Sequence, residues 1–514
     1  MGRRSFFRRN KQKNDNNAED FSVKIVNQLD ENVENLKKML DEPDDLIIRV
    51  MAIPDTMYKG AVVYISGLVD SDIIHNSVIK DLRRPLGDKG NASPKELLNS
   101  IYLDVISVSD INIGKTLDEV SLAILSGSTV FYLDGIDKVL IIGTTGGESR
   151  SIEEPVTEGL IRGPRNGFVE NIRTNTALIR RYIQEPNLRF KTHKIGRRAR
   201  KNLVVTYIDG IINPDILKEV NRRLETIDID EAPESGYIEQ WIEDSFLSPF
   251  PQVINTERPD KVAAALLDGK VAILLDGTPF VLIAPATLGN SLQSPEDYYD
   301  RWTIGTLLRG LRYVAAFIAV FLPALYIALV SYHQGMIPSA LAFSIAGTRE
   351  GVPFPAFVEA FLMTVTMELL REAGTRLPKP IGQTIGIVGG LVIGEAAVTA
   401  GLVSPVMVIV VALNAIASFS LPSYSIAIAF RIIMFGLIFA AGVFGLYGII
   451  LCYIMLNIHI VNLKSFGVPY STPFAPAFIK DWKDLVLRAP IPMLKNRPQH
   501  MQTMDDDRTG NKGD

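Results

Sequence analysis

The sequence predicts an α+β membrane protein: an N-terminal soluble portion of two repeated α/β units, then an α-helical transmembrane bundle. Three observations predict it. Residues 1 to about 300 have the mixed composition of a soluble protein, whereas residues 311–463 are apolar and sparse in charge. The soluble part repeats itself in register. The apolar part holds uncharged runs long enough, at ~1.5 Å per helical residue, to cross ~30 Å of hydrocarbon.

In chain order, the expected parts are a disordered basic tail (1–20), a first α/β unit (21–145), a helical basic linker (146–199) and a second α/β unit (200–300). A transmembrane helical domain of about five or six membrane segments (301–463) and a cytoplasmic C-terminal tail (464–514) follow. The tail begins Arg3-Arg4-Ser5-Phe6-Phe7, but Arg8-Arg9-Asn10-Lys11-Gln12-Lys13 stands where a secretory signal needs an apolar core. It reads as a solvated arm or one touching anionic lipid.

The repeat is legible in two places. Gly60-Ala-Val-Val-Tyr64-Ile-Ser-Gly67 through Asp72 resembles Leu203-Val-Val-Thr-Tyr207-Ile-Asp-Gly210 through Asp215. Each is a β-branched run, a turn at glycine, and an aspartate suited to cap a helix. The stretch Asp118-Glu-Val120 through Leu133-Asp134-Gly135 to Val139 aligns without a gap to Asp260-Lys-Val262 through Leu275-Asp276-Gly277 to Val281. Both read helix, strand, Asp-Gly turn, strand, and Asp-Gly between apolar runs marks a hairpin. Asp134 and Asp276 are therefore read as turn residues. Between the copies, the stretch after Phe168 reads as a basic amphipathic helix. Arg162, Arg165, Arg173, Arg180 and Arg181 are candidates for partner or lipid contact, against the plainer reading of a solvated connector.

In the apolar block, Tyr313 to Val330 is uncharged and contains Pro323, which a membrane helix tolerates. Further spans are expected at about 384–402, 404–420, 425–442 and 444–462, the last two alternatively forming one long helix. The segment from Pro355 to Glu372 is helical in composition but carries glutamates, so it suits a bundle interior or a water-lined surface. Glu359 and Thr366, seven apart, share one face; Thr364, Glu368, Arg371 and Glu372 form another. Carboxylates on such a helix either line a pore, where a ring of them attracts cations, or pair internally, Glu368 with Arg371 and Glu372 with Arg376. Glu368 favours pairing, and for Glu359 both readings stand. Glu395, next to Gly389, Gly390 and Gly394, has the same two readings; Asn414 favours packing and Arg431 an interfacial anchor. Most Lys and Arg flanking these runs fall on one side if six spans cross, with Arg349 the exception, which places both termini inside.

Composition narrows the chemistry. A net charge of −4 argues against nucleic-acid binding by bulk electrostatics. One cysteine, Cys452, and five histidines without metal-ligand spacing argue against a zinc site. Gly143-Thr-Thr-Gly146-Gly147 is not a phosphate loop, and no nucleophile elbow or dinucleotide fingerprint occurs. No cofactor and no enzymatic activity are expected.

Four motifs in order identify a family resemblance. They are Ile161-Arg-Gly-Pro-Arg-Asn-Gly-Phe-Val-Glu-Asn-Ile-Arg-Thr-Asn; Arg349-Glu-Gly-Val-Pro-Phe-Pro; Leu369-Leu-Arg-Glu-Ala-Gly-Thr-Arg-Leu-Pro-Lys-Pro-Ile-Gly-Gln-Thr-Ile-Gly-Ile-Val-Gly-Gly; and Ser465-Phe-Gly-Val-Pro-Tyr with Arg488-Ala-Pro. From about Phe21 to Pro490 the chain resembles the A-subunit family of the bacterial spore germination receptors (the GerA type). The resemblance implies residence in the spore inner membrane. It implies partnership with a transporter-like B subunit, the nutrient binder, and a lipoprotein C subunit. It also implies homo-oligomerisation into an ion-conducting pore gated by nutrient. Asn166 replaces an acidic residue and Glu395 a glutamine relative to the family pattern.

Overall fold

The protein is described from a computed structural model covering residues 24–85, 92–146, 154–155, 157–376, 390 and 392–509. The expected basic tail and residues 384–389 and 391 of the expected span at 384–402 lie outside the described residues. The chain divides into two compact units, residues 1–147 and 148–514.

The first unit is a five-stranded antiparallel sheet. Its strands are β1 (Leu46–Ala52), β2 (Lys59–Ile65), β3 (Ile111–Gly114), β4 (Thr129–Leu133) and β5 (Val139–Ile142), in the spatial order β1-β2-β4-β5-β3. Successive side chains alternate between faces. Val62, Phe131 and Leu140 pack with Ile74, Val78, Leu97 and Ile101 on one face. On the sheet, α1 (Leu29–Leu40) and α2 (Leu117–Leu125) pack against each other and against β2.

The second unit opens with the same design. Its strands β6 (Leu188–Ile195), β7 (Lys201–Ile208), β8 (Ile254–Thr256), β9 (Val271–Leu275) and β10 (Val281–Ala284) take the order β6-β7-β9-β10-β8. Helices α3 (Ile172–Tyr182), α4 (Pro214–Glu225) and α5 (Pro259–Leu267) accompany them. The likeness extends to single hydrogen bonds. Asn32 accepts from the Val26 N–H at 2.9 Å and donates to the Val26 carbonyl at 2.6 Å; Asn175 does the same to Val169 at 2.8 and 2.5 Å. The Asp134 carboxylate accepts from the Leu29 N–H at 3.1 Å, and Asp276 from Ile172 at 3.3 Å. The Gly135 and Gly277 N–H groups, at φ 87° and 90°, donate to Asn27 and Glu170. Each Asp-Gly turn thus closes a hairpin and satisfies the exposed N-terminus of a helix distant in sequence.

Two expectations change here. The second unit does not begin at residue 200: α3 and β6 lie in the segment expected to be a linker, and β6 pairs along its whole length with β7. The helix caps also sit two residues earlier than expected. Asp70, not Asp72, caps the helix after β2, and Asn213, not Asp215, caps α4. An N-cap residue must itself be extended, so the side chain reaches forward to the first free N–H groups.

The apolar part is a helix bundle. It comprises α6 (Trp302–Ser331), α7 (Ser339–Arg349), α8 (Ala356–Arg376), α9 (Pro405–Phe419) and α10 (Tyr424–Asn462). By length and composition, α6 and α10 can cross a membrane, both with mean hydropathy 2.4. The α10 segment is not one rod. Phe430 and His459 both lie against the Phe250 ring, with centroids 6.4 and 6.0 Å away. A straight helix would hold them ~43 Å apart. The chain reverses at Gly445, whose φ of 59° and ψ of −139° suit glycine alone. The two-helix reading of 425–462 therefore holds, and the single long helix does not.

The C-terminal segment is not a free tail. Ser465 Oγ donates to the Gln252 carbonyl at 2.6 Å, and Phe466, Val468 and Met501 join the core under the second sheet. Phe250, Leu292, Leu463 and Tyr470 belong to the bundle's own core, so sheet and bundle share apolar packing. Trp302 follows the short helical turn Glu296–Tyr299, and Asn462 leads into Lys464–Ser465, whose Ser465 is bonded to Gln252 in the loop before β8.

Asn32→Ala and Asn175→Ala should each destabilise the protein by ~1–3 kcal/mol, because each strands a backbone N–H and carbonyl. Thermal unfolding of the two variants should show similar losses; a loss at only one would contradict the equivalence of the copies.

Candidate functional site

The polar groups of the bundle and of its foot form the candidate site. Ahead of its uncharged run, α6 carries Arg309 and Arg312 on one face. Asp297, from the short helical turn Glu296–Tyr299, is 0% exposed and Arg309 is 1% exposed. Arg309 Nε donates to Asp297 Oδ2 at 2.9 Å and Arg312 Nη1 at 2.8 Å. Arg309 also donates to the Asp484 carbonyl, and the Tyr298 hydroxyl donates to Asp484 Oδ1 at 2.8 Å. The Arg309 and Arg488 guanidinium groups lie over the Tyr298 ring, 5.2 and 5.4 Å from its centre. Burial pushes the Tyr298 phenol above its usual range and raises the Asp484 carboxyl, which Arg309 opposes. The sequence reading used Arg309 and Arg312 only as orientation markers and missed Asp297, Tyr298 and Asp484. The available signal was two arginines three apart facing an apolar run with no acid within helical reach.

Inside the bundle, carboxylates tie helix ends together. Glu359, 0% exposed, sits in the first turn of α8, where the helix dipole favours a negative charge. Arg349, at the end of α7, lies 2.9 Å from its Oε1, and its Oε2 accepts the Ser404 N–H at the start of α9 at 2.8 Å. Toward the other end of α8, Glu368 meets Arg371 at 2.9 Å and Arg431 of α10 at 2.7 Å. Arg371 continues to Ser418 Oγ at 3.2 Å and lies over the Phe419 ring. The pairing reading of Glu368 matches this geometry. Arg431 is drawn into the same cluster and is not a free interfacial anchor. Glu372 pairs with Arg376 at 2.6 Å on the surface.

Asn414 lies buried between α9 and α6. With both ends of its amide partnered, its nitrogen donates to the carbonyls of Ile318 and Ala319, at 3.2 and 2.9 Å. Ala319 is four residues before Pro323, which has no N–H to offer it. The amide therefore replaces the hydrogen bond that the proline removes.

The remaining candidates are dispersed. The Thr366 hydroxyl, half-buried, donates to the Leu362 carbonyl of its own helix at 2.8 Å. Glu395 is exposed on the helical segment 392–399, with Val392 and Ile393 exposed beside it. Of the basic residues, Arg173 and Arg181 are exposed. Arg162 lies 3.7 Å from Asp300 and Arg165 4.0 Å from Glu154, both largely in solvent. Arg180 leaves the set: it is 1% exposed, its guanidinium over the Phe190 ring at 4.7 Å, so it faces neither partner nor lipid.

Asn414→Ala should cost ~1–3 kcal/mol by stranding the Ala319 carbonyl. Adding Pro323→Ala should recover most of that loss, since the helix then satisfies its own carbonyl; additive losses in a double-mutant cycle in detergent would refute the link. Asp297→Asn should cost ~3–5 kcal/mol by leaving buried arginine charge uncompensated. The apolar pair Asp297→Leu with Arg309→Met should unfold closer to wild type, as read by thermal denaturation.

Comparison with known proteins places this geometry in a family. The model of the "Bacillus/Clostridium GerA spore germination protein" family matches residues 34–500. The chain is 52% identical to spore germination protein GerLA of Bacillus cereus, over 94% of this chain and 97% of that protein. It is 46% identical to spore germination protein KA of Bacillus subtilis (strain 168), over 95% and 89%. Among solved structures, it resembles the N-terminal domain of the A subunit of the Bacillus megaterium spore germinant receptor GerK3, 35% identical, covering 52% of this chain and 98% of that one at a TM-score of 0.42. The aligned lengths span the α/β part and the bundle alike, and the chain belongs to the GerA family of spore germination proteins.

Proposed function

We propose that this chain is the A subunit of a nutrient-responsive spore germination receptor, and that several copies form an ion-conducting pore whose opening starts germination. Family membership supports the receptor role. The observation that carries the pore is Glu395, a carboxylate exposed on an apolar helical surface. A charge facing hydrocarbon costs ~2.5–3.5 kcal/mol, a cost relieved if that surface meets water or a second copy. A ring of such carboxylates around a symmetry axis would attract cations. Glu359 and Glu368 serve instead as internal ties, so Glu395 becomes the leading lining residue and Thr366 a secondary one.

The partners on this reading are a transporter-like B subunit that binds nutrient and a lipoprotein C subunit. The membrane is the inner membrane of the spore. Arg301, Arg309 and Arg312 flank the start of α6 and Lys464 follows the end of α10, which supports cytoplasmic termini and an even number of crossings. The exposed Arg162, Arg165, Arg173 and Arg181 are the remaining candidates for partner or lipid contact. A second reading, a non-conducting scaffold for the B subunit, is favoured by the internal pairing of Glu359, Glu368 and Arg431.

Reconstitution of the chain with its B and C partners in liposomes separates the two. Nutrient should release cations, and Glu395→Gln should lower flux or alter ion preference while the complex stays assembled. Unchanged flux and selectivity would remove Glu395 from the pathway; no flux from intact complexes would establish the scaffold.

A further inference from the structure

A cavity of about 430 Å³ opens beside α5 and β10, closed on its other sides by the segment 290–299 and by Arg497 and Arg508 of the C-terminal segment. That size is within the range of small-molecule sites. Ala264, Ala265, Leu267 and Ile283 make much of its wall apolar. Its charged groups are almost all matched. Lys261 meets Glu158 at 2.7 Å, Arg497 meets Asp505 at 2.8 Å, and Arg508 meets Asp268. Asp260 meets Arg258 at 3.0 Å and also accepts from the Tyr299 hydroxyl.

Lys270 is different. It is 4% exposed, and its Nζ donates to the neutral Asn290 Oδ1 at 2.7 Å. Among the described residues it has no carboxylate within ion-pair distance. An ammonium group buried without a counter-charge is costly, and proteins avoid it unless something compensates. Burial lowers Lys270 to about 8, with Lys261 adding to the depression and Asp268 opposing it. One uncompensated cation facing an apolar cavity matches a ligand with one negative charge and an apolar body.

The same cavity touches the foot of the bundle. Asn290 donates onward to Gln293 at 3.3 Å, and Gln293 to the Asp484 carbonyl at 2.8 Å, the carbonyl that Arg309 also engages. Tyr298 lines the cavity while its hydroxyl holds Asp484.

We propose that this cavity binds a small organic monocarboxylate, its carboxylate paired with Lys270 and its body against Ala264, Ala265 and Ile283, and that occupancy is relayed through Tyr298 and Asp484 to α6. The site modulates the bundle from the α/β side, whether the bundle conducts or acts as a scaffold.

The test uses the purified full chain in detergent with isobutyrate as probe, followed by ligand-observed NMR and titration. Isobutyrate should bind, its neutral isostere isobutyramide at least ten-fold more weakly. Lys270→Met should weaken isobutyrate binding at least ten-fold. Ala264→Trp, which keeps the lysine but fills the cavity, should do the same. Binding should also weaken as pH rises above about 8, where the free lysine loses its proton. At saturating isobutyrate, Tyr298→Phe, which keeps the ring and removes the hydroxyl held to Asp484, should abolish the ligand-dependent fluorescence change of Trp302, at the start of α6, in a background lacking the other tryptophans. Absence of isobutyrate binding at tens of millimolar, equal binding of the amide, tighter binding of inorganic phosphate, or unaltered binding in both Lys270→Met and Ala264→Trp would overturn the site. A Trp302 response that is absent in the wild type, or that persists in Tyr298→Phe, would overturn the relay.

Discussion

The buried pair of Asp297 and Arg309 is the constraint on which the second unit depends. Neither charge is tolerable alone away from water, and Arg309 has further donors to satisfy. Its Nε and Nη1 are met only when the turn before α6, the base of α6 and the C-terminal segment around Asp484 come together. Segments almost 190 residues apart are thereby fixed at one point, and Tyr298 and Arg488 close the same knot. Within this unit the second sheet is consequently not tethered flexibly to the bundle. Phe250, at the tip of a loop from that part, sits among bundle side chains, and the bundle's last helix runs directly into the strand-like Lys464–Ser465.

Within the bundle, polar side chains act chiefly as fasteners. Glu359 binds the end of α7 to the starts of α8 and α9, and Glu368 binds α8 to α10 with Arg371 reaching α9. Lipid offers no hydrophobic drive for helices to associate, so hydrogen bonds and close packing must supply specificity. Asn414 does so at the point where Pro323 weakens α6, linking a helix defect to its repair on a neighbour. Against that background, a carboxylate exposed on the outside of the bundle stands apart, and Glu395 draws the functional proposal for that reason.

The α/β repeat was legible because its strongest features are local. Leu133-Asp134-Gly135 and Leu275-Asp276-Gly277 between β-branched runs are strong local hairpin signals, whereas the same tripeptide at Leu267-Asp268-Gly269, preceded by alanines, ends a helix. The start of the second copy was not legible. Residues 188–195 read Leu-Arg-Phe-Lys-Thr-His-Lys-Ile, whose cations disguise an edge strand paired to β7. Arg180 misled in the same way: a cationic residue on a helix reads as solvent-facing until a ring such as Phe190 is seen to cover it.

Hydropathy, periodicity and turn residues by themselves determined the two-part plan, the helical bundle and the hairpins, and four short motifs carried the family resemblance, because each depends on residues close in sequence. The turn back at Gly445 was anticipated as a gap between spans but needed contacts to Phe250 to distinguish it from a continuous helix. Which carboxylate is paired inside the bundle and which is exposed was decided only by tertiary structure. Glu359, Glu368 and Glu395 look alike in the sequence, and their difference arises from arginines and backbone groups that folding brings from other helices. The same holds for Lys270: that no carboxylate among the described residues lies within ion-pair distance of it is a property of the folded cavity and not of its neighbours in the chain.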